Sequence, residues 1–264
     1  MKTIEVEALK KVQLEILDYL HDFCMKNNIR YWIDSGTLLG AIRHKGYIPW
    51  DDDIDVGMLR EDYDRFLSIF NEASDRFKCY SIENNPHFLY PFAKVLDTET
   101  ILYEPDEKGE KLSINIDVFP YDKAPEDKKE LAKMYKKRNK LQKMRRLSNH
   151  HVHEGGFVRR ALIAIISLPF KLFPKGYFEK KIVKNALRYK DSNSSQIGDF
   201  TCREIISVNR EVFDSFVDVE FEGRKFKAPV GYDTWLRAFY GDYMELPPVE
   251  KRVSEHHFKA FYKE

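Results

Sequence analysis

The run Asp51-Asp52-Asp53-Ile54-Asp55-Val56 places four carboxylates within five positions. Side chains alternate faces along an extended strand. Asp53 and Asp55 therefore share one face, with Asp51 joining them if the strand begins that early, while Ile54 and Val56 face a core. Carboxylates packed this closely raise one another's pKa unless a cation compensates. A divalent, oxygen-seeking metal, Mg²⁺ or Mn²⁺, is the economical compensation, and it points to phosphoryl chemistry. The competing reading is a solvated turn after Pro49, against which the hydrophobes Ile54, Val56 and Met58 weigh.

A second acidic strand strengthens the metal reading. In Ser113-Ile114-Asn115-Ile116-Asp117-Val118-Phe119, the isoleucines and Val118 face one way and Asn115 and Asp117 the other. Beside the first acidic strand, Asp117 becomes a third carboxylate on the same surface; alone, it merely ends an edge strand before Pro120. Upstream, the turn Asp34-Ser35-Gly36-Thr37 opens a short helix, whose unpaired N–H groups form an anion site. Gly36, Gly40 and Arg43 fall at i, i+4 and i+7, on one helix face. That face would let a nucleotide approach the backbone, with Arg43 available to phosphate. The turn is no Walker A loop, because the Gly-Lys-Ser/Thr ending is absent.

The elements that must position these groups follow from periodicity. Apolar residues at helical spacing predict a helix over 3–27 and another over 61–71. A short helix spans 37–43, strands are expected at 30–34, 53–56, 78–82, 90–96, 100–103 and 112–119, and the stretch 44–50 is a loop. A basic helix follows at 126–147, then the apolar segment 161–170. The C-terminal part combines strand-like 217–221 with a short helix near 233–240. The pattern is α/β or α+β, divided into a core (1–125), a basic and apolar helical region (126–200) and a C-terminal region (201–264) that completes the site.

The chain has 264 residues, 43% of them hydrophobic, and its 44 Lys and Arg nearly cancel 43 Asp and Glu. That balance gives no electrostatic case for a nucleic-acid partner. Cys24, Cys79 and Cys202 form no CxxC pair, which suits reduced thiols in a cytoplasmic protein. The charged, amphipathic N-terminus is not a signal peptide. No apolar run reaches the ~18 residues of a membrane span.

The stretch Asp34 to Val56, with Ser35-Gly36-Thr37, Arg43-His44-Lys45-Gly46 and the acidic run, closely resembles the LicD family. The resemblance continues at Ile116-Asp117-Val118-Phe119-Pro120, at Tyr240-Gly241-Asp242-Tyr243-Met244 with Pro247-Pro248, and at Arg252 and His256. It implies a core similar to the DNA-polymerase-β-type nucleotidyltransferases, with a mixed sheet, helical additions and three metal-binding carboxylates. Asp53, Asp55 and Asp117 match those carboxylates, and Gly36-Thr37 matches the Gly-Ser/Thr turn. The implied reaction moves phosphocholine from CDP-choline to a sugar hydroxyl of a lipid-linked glycan such as a teichoic acid precursor, releasing CMP. Asp117 would accept the hydroxyl proton, Arg43 and Lys45 would contact phosphate, and Asp51 or Asp52 would hold a second ion or orient the first. Arg252 and His256 would reach the nucleotide or the acceptor. CDP-ribitol or CDP-glycerol as donor, a DxD glycosyltransferase using UDP-sugars, and a non-enzymatic membrane scaffold are the rivals.

Three further features complete the reading. The apolar segment 161–170, flanked by Arg159, Arg160, Lys171 and Lys175, is either a buried helix or a helix lying on an anionic membrane, which would place the protein peripherally at the inner face. His150, His151, His153 and Glu154 sit beside Gly155-Gly156 and read as a mobile loop rather than a metal site. Tyr232, Trp235, Tyr240 and Tyr243 read as core packing before a quaternary-ammonium cage.

Overall fold

Amphipathic periodicity becomes helix, and apolar runs become strands, largely where expected. The computed structural model describes residues 2–103, 112–149, 157–201, 205–253 and 259–263. Helix α1 (Val6–Lys26) buries Leu9, Val12, Ile16, Leu17, Leu20 and Phe23 along one stripe. After β1 (Thr3–Ile4) and α1, the chain forms β2 (Trp32–Ile33), α2 (Ser35–His44), β3 (Asp55–Leu59) and α3 (Arg60–Ile69). Strands β4 (Phe77–Tyr80), β5 (Ala93–Asp97), β6 (Thr100–Tyr103) and β7 (Asn115–Lys123) follow.

The central sheet runs in the order β2-β3-β7-β5-β4 and is mixed. β3 and β7 are parallel, and the other pairs along that order are antiparallel. Asp117 therefore lies mid-sheet, not on an edge. The ladder of the acidic strand begins only at Asp55, so Asp51 and Asp53 belong to the preceding turn. The alternation nonetheless starts earlier: Asp53 is exposed, Ile54 buried, Asp55 part-exposed and Val56 buried. Arg60 on α3 reaches across to β7, where its Nε and Nη2 donate to the two carboxylate oxygens of buried Asp122 at 2.7 and 2.8 Å. That bidentate pair fixes α3 against the sheet.

Helices α4 (Lys128–Asn149), α5 (Phe157–Lys171) and α6 (Tyr177–Ala186) form a layer beyond β7, with a small core of Ala124, Met134, Tyr135, Ala186 and Phe200. Strands β8 (Gln196–Gly198) and β9 (Val208–Asn209) extend the main sheet at β7. The hairpin β10 (Phe216–Phe221) and β11 (Arg224–Pro229) precedes α7 (Tyr232–Tyr240). Strand β12 (Lys259–Tyr262) lies between β1 and β6, so the two ends of the chain share a small sheet that periodicity does not foretell. Cys24 and Cys79 are buried free thiols. Among the described residues, no helix is long and apolar enough to cross a membrane.

Candidate functional site

Strand register assembles the site. Asp55 on β3 is the Cα partner of Asp117 on β7, and Asp117 is in turn the partner of Lys94 on β5. Residues directly opposite on neighbouring strands share a face, so a single row carries two carboxylates and an ammonium. The Lys94 Nζ donates to Asp117 Oδ1 at 2.6 Å and to Asn115 Oδ1 at 3.0 Å, and it lies 4.6 Å from the centre of the Tyr90 ring. A lysine this deeply buried needs an anion and a π-face to offset its lost hydration. Nothing in the sequence reading singled out Lys94. Its signal was a lone cation inside the apolar strand Phe92-Ala93-Lys94-Val95-Leu96.

Asp55 is held by its backbone. Its N–H donates to the Thr37 hydroxyl at 2.8 Å, and its carbonyl accepts from Asp34 N–H at 2.9 Å. Thr37, expected at the phosphate, thus joins the first turn of α2 to the start of β3. Asp34 caps α2 by accepting from Ser35 N–H at 2.8 Å, and its fully buried carboxylate also accepts from Tyr121 Oη at 2.6 Å and Trp235 Nε1 at 2.9 Å. Three charge-assisted bonds on one carboxylate tie α2, β7 and α7 together. Trp235 is consequently core, as are Tyr121 and the buried Tyr243, whereas Tyr240 is exposed.

The acidic turn folds over the start of α2. One oxygen from each of Asp51, Asp52 and Asp53 lies within 4.8 Å of the other two. A Cβ at Gly36 would sit 2.6 Å from Asp51 Oδ2, so a side chain there would push the Asp51 carboxylate aside. Burial, followed by the negative charges of Glu222, Asp53, Asp51 and Asp52, holds the Tyr47 phenol well above its usual pKa and therefore protonated.

The helix face expected to receive a nucleotide is covered along most of its length. A Cβ at Gly40 would meet the Gly46 carbonyl at 2.4 Å, so that glycine makes room for the chain's own loop. Arg43 Nη1 donates to the Tyr243 carbonyl at 2.8 Å, and its Nε donates to His44 Nε2 at 2.9 Å. Gly36 and Arg43, at the two ends of that face, are part-exposed, and Gly40 between them is buried. Lys45 is an exposed C-cap in the left-handed region (φ 61°), roughly 13 Å of helix rise beyond Gly36, and its carbonyl accepts from Glu222 N–H. Arg252 was expected near the nucleotide. Its Nε bonds the Pro247 carbonyl at 2.8 Å, and its guanidinium lies 5.8 Å from the centre of the Trp50 ring, next to Asp51 in sequence. Burial lowers the Arg43 pKa and the Arg252 charge lowers it further, against the opposing influence of Tyr240. The two guanidiniums are thus close enough to act on one another. His256, like His150, His151, His153, Glu154 and Cys202, lies outside the described residues.

The donors suit a hard divalent cation, since the acidic turn and the Asp55–Asp117 pair offer carboxylate oxygens alone. The Ser35 hydroxyl oxygen, next to Gly36, is buried without a hydrogen-bond partner among the described residues. It is a natural point for an anion or a water bound at the helix start.

Comparison with known proteins bears on the same residues. The family model described as LicD/FKTN/FKRP, nucleotidyltransferase domain, matches residues 28–148, which hold Asp34, Asp51, Asp52, Asp53, Asp55 and Asp117. The lipopolysaccharide cholinephosphotransferase LicD of Haemophilus influenzae is 34% identical over 99% of this chain and 99% of its own length. An uncharacterized protein of Rickettsia typhi, RT0683, is 39% identical over 45% of this chain and 36% of its own. The human ribitol 5-phosphate transferase FKRP is 56% identical over 34 residues, 13% of this chain and 7% of that protein.

Proposed function

The chain belongs to the LicD family, and from that premise we propose that it transfers phosphocholine from CDP-choline to a sugar hydroxyl of a lipid-linked surface glycan or teichoic acid precursor, releasing CMP. The observation that carries this reading is the full-length likeness to a lipopolysaccharide cholinephosphotransferase, joined to the in-register row Asp55–Asp117–Lys94. A nucleotidyltransferase-like core fits the mixed sheet and the strand-to-helix turn at Gly36.

Asp53, Asp55 and Asp117, with Asp51 alongside, would hold Mg²⁺ or Mn²⁺. Bound there, the ion would neutralise charge on the donor diphosphate and on the leaving phosphate. The protein's own groups do the remaining work. Arg43 and Arg252 meet the diphosphate from the side of Trp50. Asp117 accepts the proton of the attacking hydroxyl, and its carboxylate is aimed by the bond from Lys94. Lys94 also adds positive charge where the transferred phosphoryl group gathers negative charge.

A ribitol-phosphate donor is the second reading, favoured by the 56% identity to FKRP. That match covers too little of either chain to speak for the alcohol, whereas the cholinephosphotransferase match spans both chains. Incubating the protein and a membrane glycolipid with Mg²⁺ and CDP-choline, CDP-ribitol, CDP-glycerol or UDP-sugars separates the cases. CMP release from CDP-choline is expected, and it is expected to vanish in Asp55→Ala and Asp117→Ala. Release from CDP-ribitol alone transfers the reading to that donor. Release of UDP alone overturns it, and full turnover by either alanine variant overturns the assigned site.

A further inference from the structure

Charge is segregated along this chain. Residues 128–190 hold 19 Lys and Arg against 3 Asp and Glu, in a protein whose 44 and 43 nearly cancel. Most of those cations are exposed, among them Lys171, Lys175, Lys180, Lys181 and Lys184. An open cleft of about 930 Å³ lies against α6 and is lined in part by Lys137, Lys180, Lys181, Lys184 and Arg188.

Helix α5 is inverted relative to a core helix. Leu162, Ile165, Ile166 and Leu168 are 57%, 69%, 48% and 62% exposed, and Leu172 just beyond the helix reaches 81%. Ser167, by contrast, is fully buried, its hydroxyl donating to the Ala164 carbonyl at 3.0 Å. The spacing 162, 165, 166 and 169 is one helical stripe, and it faces outward. An exposed apolar face of this kind marks an interaction site, and the chain follows it with the exposed Lys171 and Lys175.

We propose that this face docks on an anionic membrane surface, with the α5 stripe at the headgroup–acyl boundary and the α6 lysines on the headgroups. Charge selects this occupant over a second copy of the chain: two such faces brought together would set lysine against lysine, whereas anionic lipid complements them. Polar nucleic acid would leave the apolar stripe unmatched. The surface also connects to the site. Near the end of α4, Arg145 donates to the Leu89 carbonyl at 2.6 Å and lies 5.9 Å from the centre of the Tyr90 ring, against which Lys94 packs. Docking would therefore hold the site close to a lipid-linked acceptor. That consequence rests on the function proposed above; the docking itself rests on the surface alone.

Co-sedimentation of the full chain with vesicles, without any nucleotide donor, tests it. Binding is expected to vesicles of phosphatidylglycerol and phosphatidylcholine at low ionic strength, with weakening by salt and none to phosphatidylcholine alone. Replacing Lys180, Lys181 and Lys184 together by Gln is expected to weaken binding by roughly a hundredfold, at about fivefold per lysine. Ile165→Glu with Leu168→Glu is expected to abolish it. Circular dichroism and CMP release with a soluble acceptor are expected to stay unchanged in both variants, because all five side chains are exposed. Absence of binding to the anionic vesicles, or full binding by both variants, overturns the proposal. So does a wild-type dimer that Ile165→Glu dissociates, which would assign the face to self-association. Because no donor is present, this outcome is independent of whether CDP-choline is the substrate.

Discussion

Replacing Lys94 by Met tests the central row of the site. Methionine keeps the length and apolar stem of lysine while removing its charge, so packing changes little. Asp55 and Asp117 occupy adjacent strands in register, which puts their carboxylates roughly 5 Å apart. At an effective dielectric near 20, like charges at that distance repel by about 3 kcal/mol. The Lys94 ammonium, 2.6 Å from Asp117, offsets that repulsion. Breaking a fully buried pair costs about 3–5 kcal/mol. The Asp117 side chain is 22% exposed against 8% for Lys94, so the cost here is nearer 2–3 kcal/mol. In a chain of this size that lowers Tm by about 4–6 °C. The assay is thermal unfolding in EDTA and again in Mg²⁺. The variant is expected to show the full deficit in EDTA and to recover more than half of it in Mg²⁺, which supplies the missing positive charge. Turnover is expected to fall in either case. A Tm within about 2 °C of wild type in EDTA refutes the electrostatic reasoning, and a deficit that Mg²⁺ leaves untouched refutes the metal assignment.

Gly57→Ala is expected to cost about 2–3 kcal/mol in urea denaturation, because its Cβ would fall 2.4–2.6 Å from the fully buried Trp32 ring, which has no room to withdraw. Trp235→Phe removes the indole bond to Asp34 and is expected to cost about 1.5–3 kcal/mol, read as a lower urea midpoint at constant slope. For His44, burial and then the Arg43 charge lower the pKa, and its Nε2 accepts the Arg43 Nε–H as a neutral ring. A base whose folded pKa is depressed contributes stability that is present above its ordinary pKa near 6.5 and is lost as pH falls from there toward the depressed value. Tm of the wild type is accordingly expected to drop further than that of His44→Gln between pH 7 and pH 5.5, and parallel curves would refute this role.

How much of this was legible in advance differs from residue to residue. The alternation Asp53-Ile54-Asp55-Val56 and the matching Ile116-Asp117-Val118 describe side-chain direction on a strand, a property of local backbone geometry that sequence states directly. The helical stripe of Leu9, Val12, Ile16 and Leu20 is equally local. For Gly36, Gly40 and Arg43, helical spacing states the shared face but not what packs on it. One face they do share, but the Gly46 backbone and the Tyr243 carbonyl cover two of the three.

Sequence by itself determined the types of chemical group, the strands that bear them and the family to which the chain belongs. It also determined the opposed apolar and basic character of residues 128–190, because composition and periodicity need no partner to be seen. Tertiary structure decided the rest. Only the parallel register of β3 on β7 sets Asp55 beside Asp117, and only the antiparallel register of β5 brings Lys94 onto Asp117. Only folding joins Trp235 to Asp34, 201 positions away. The direction in which α5 turns its hydrophobes was likewise undecided between core and surface until its neighbours were placed. The physical reason is common to all four. A side chain's direction is local, but what it meets depends on strand order and register, which are settled by the burial of the whole core.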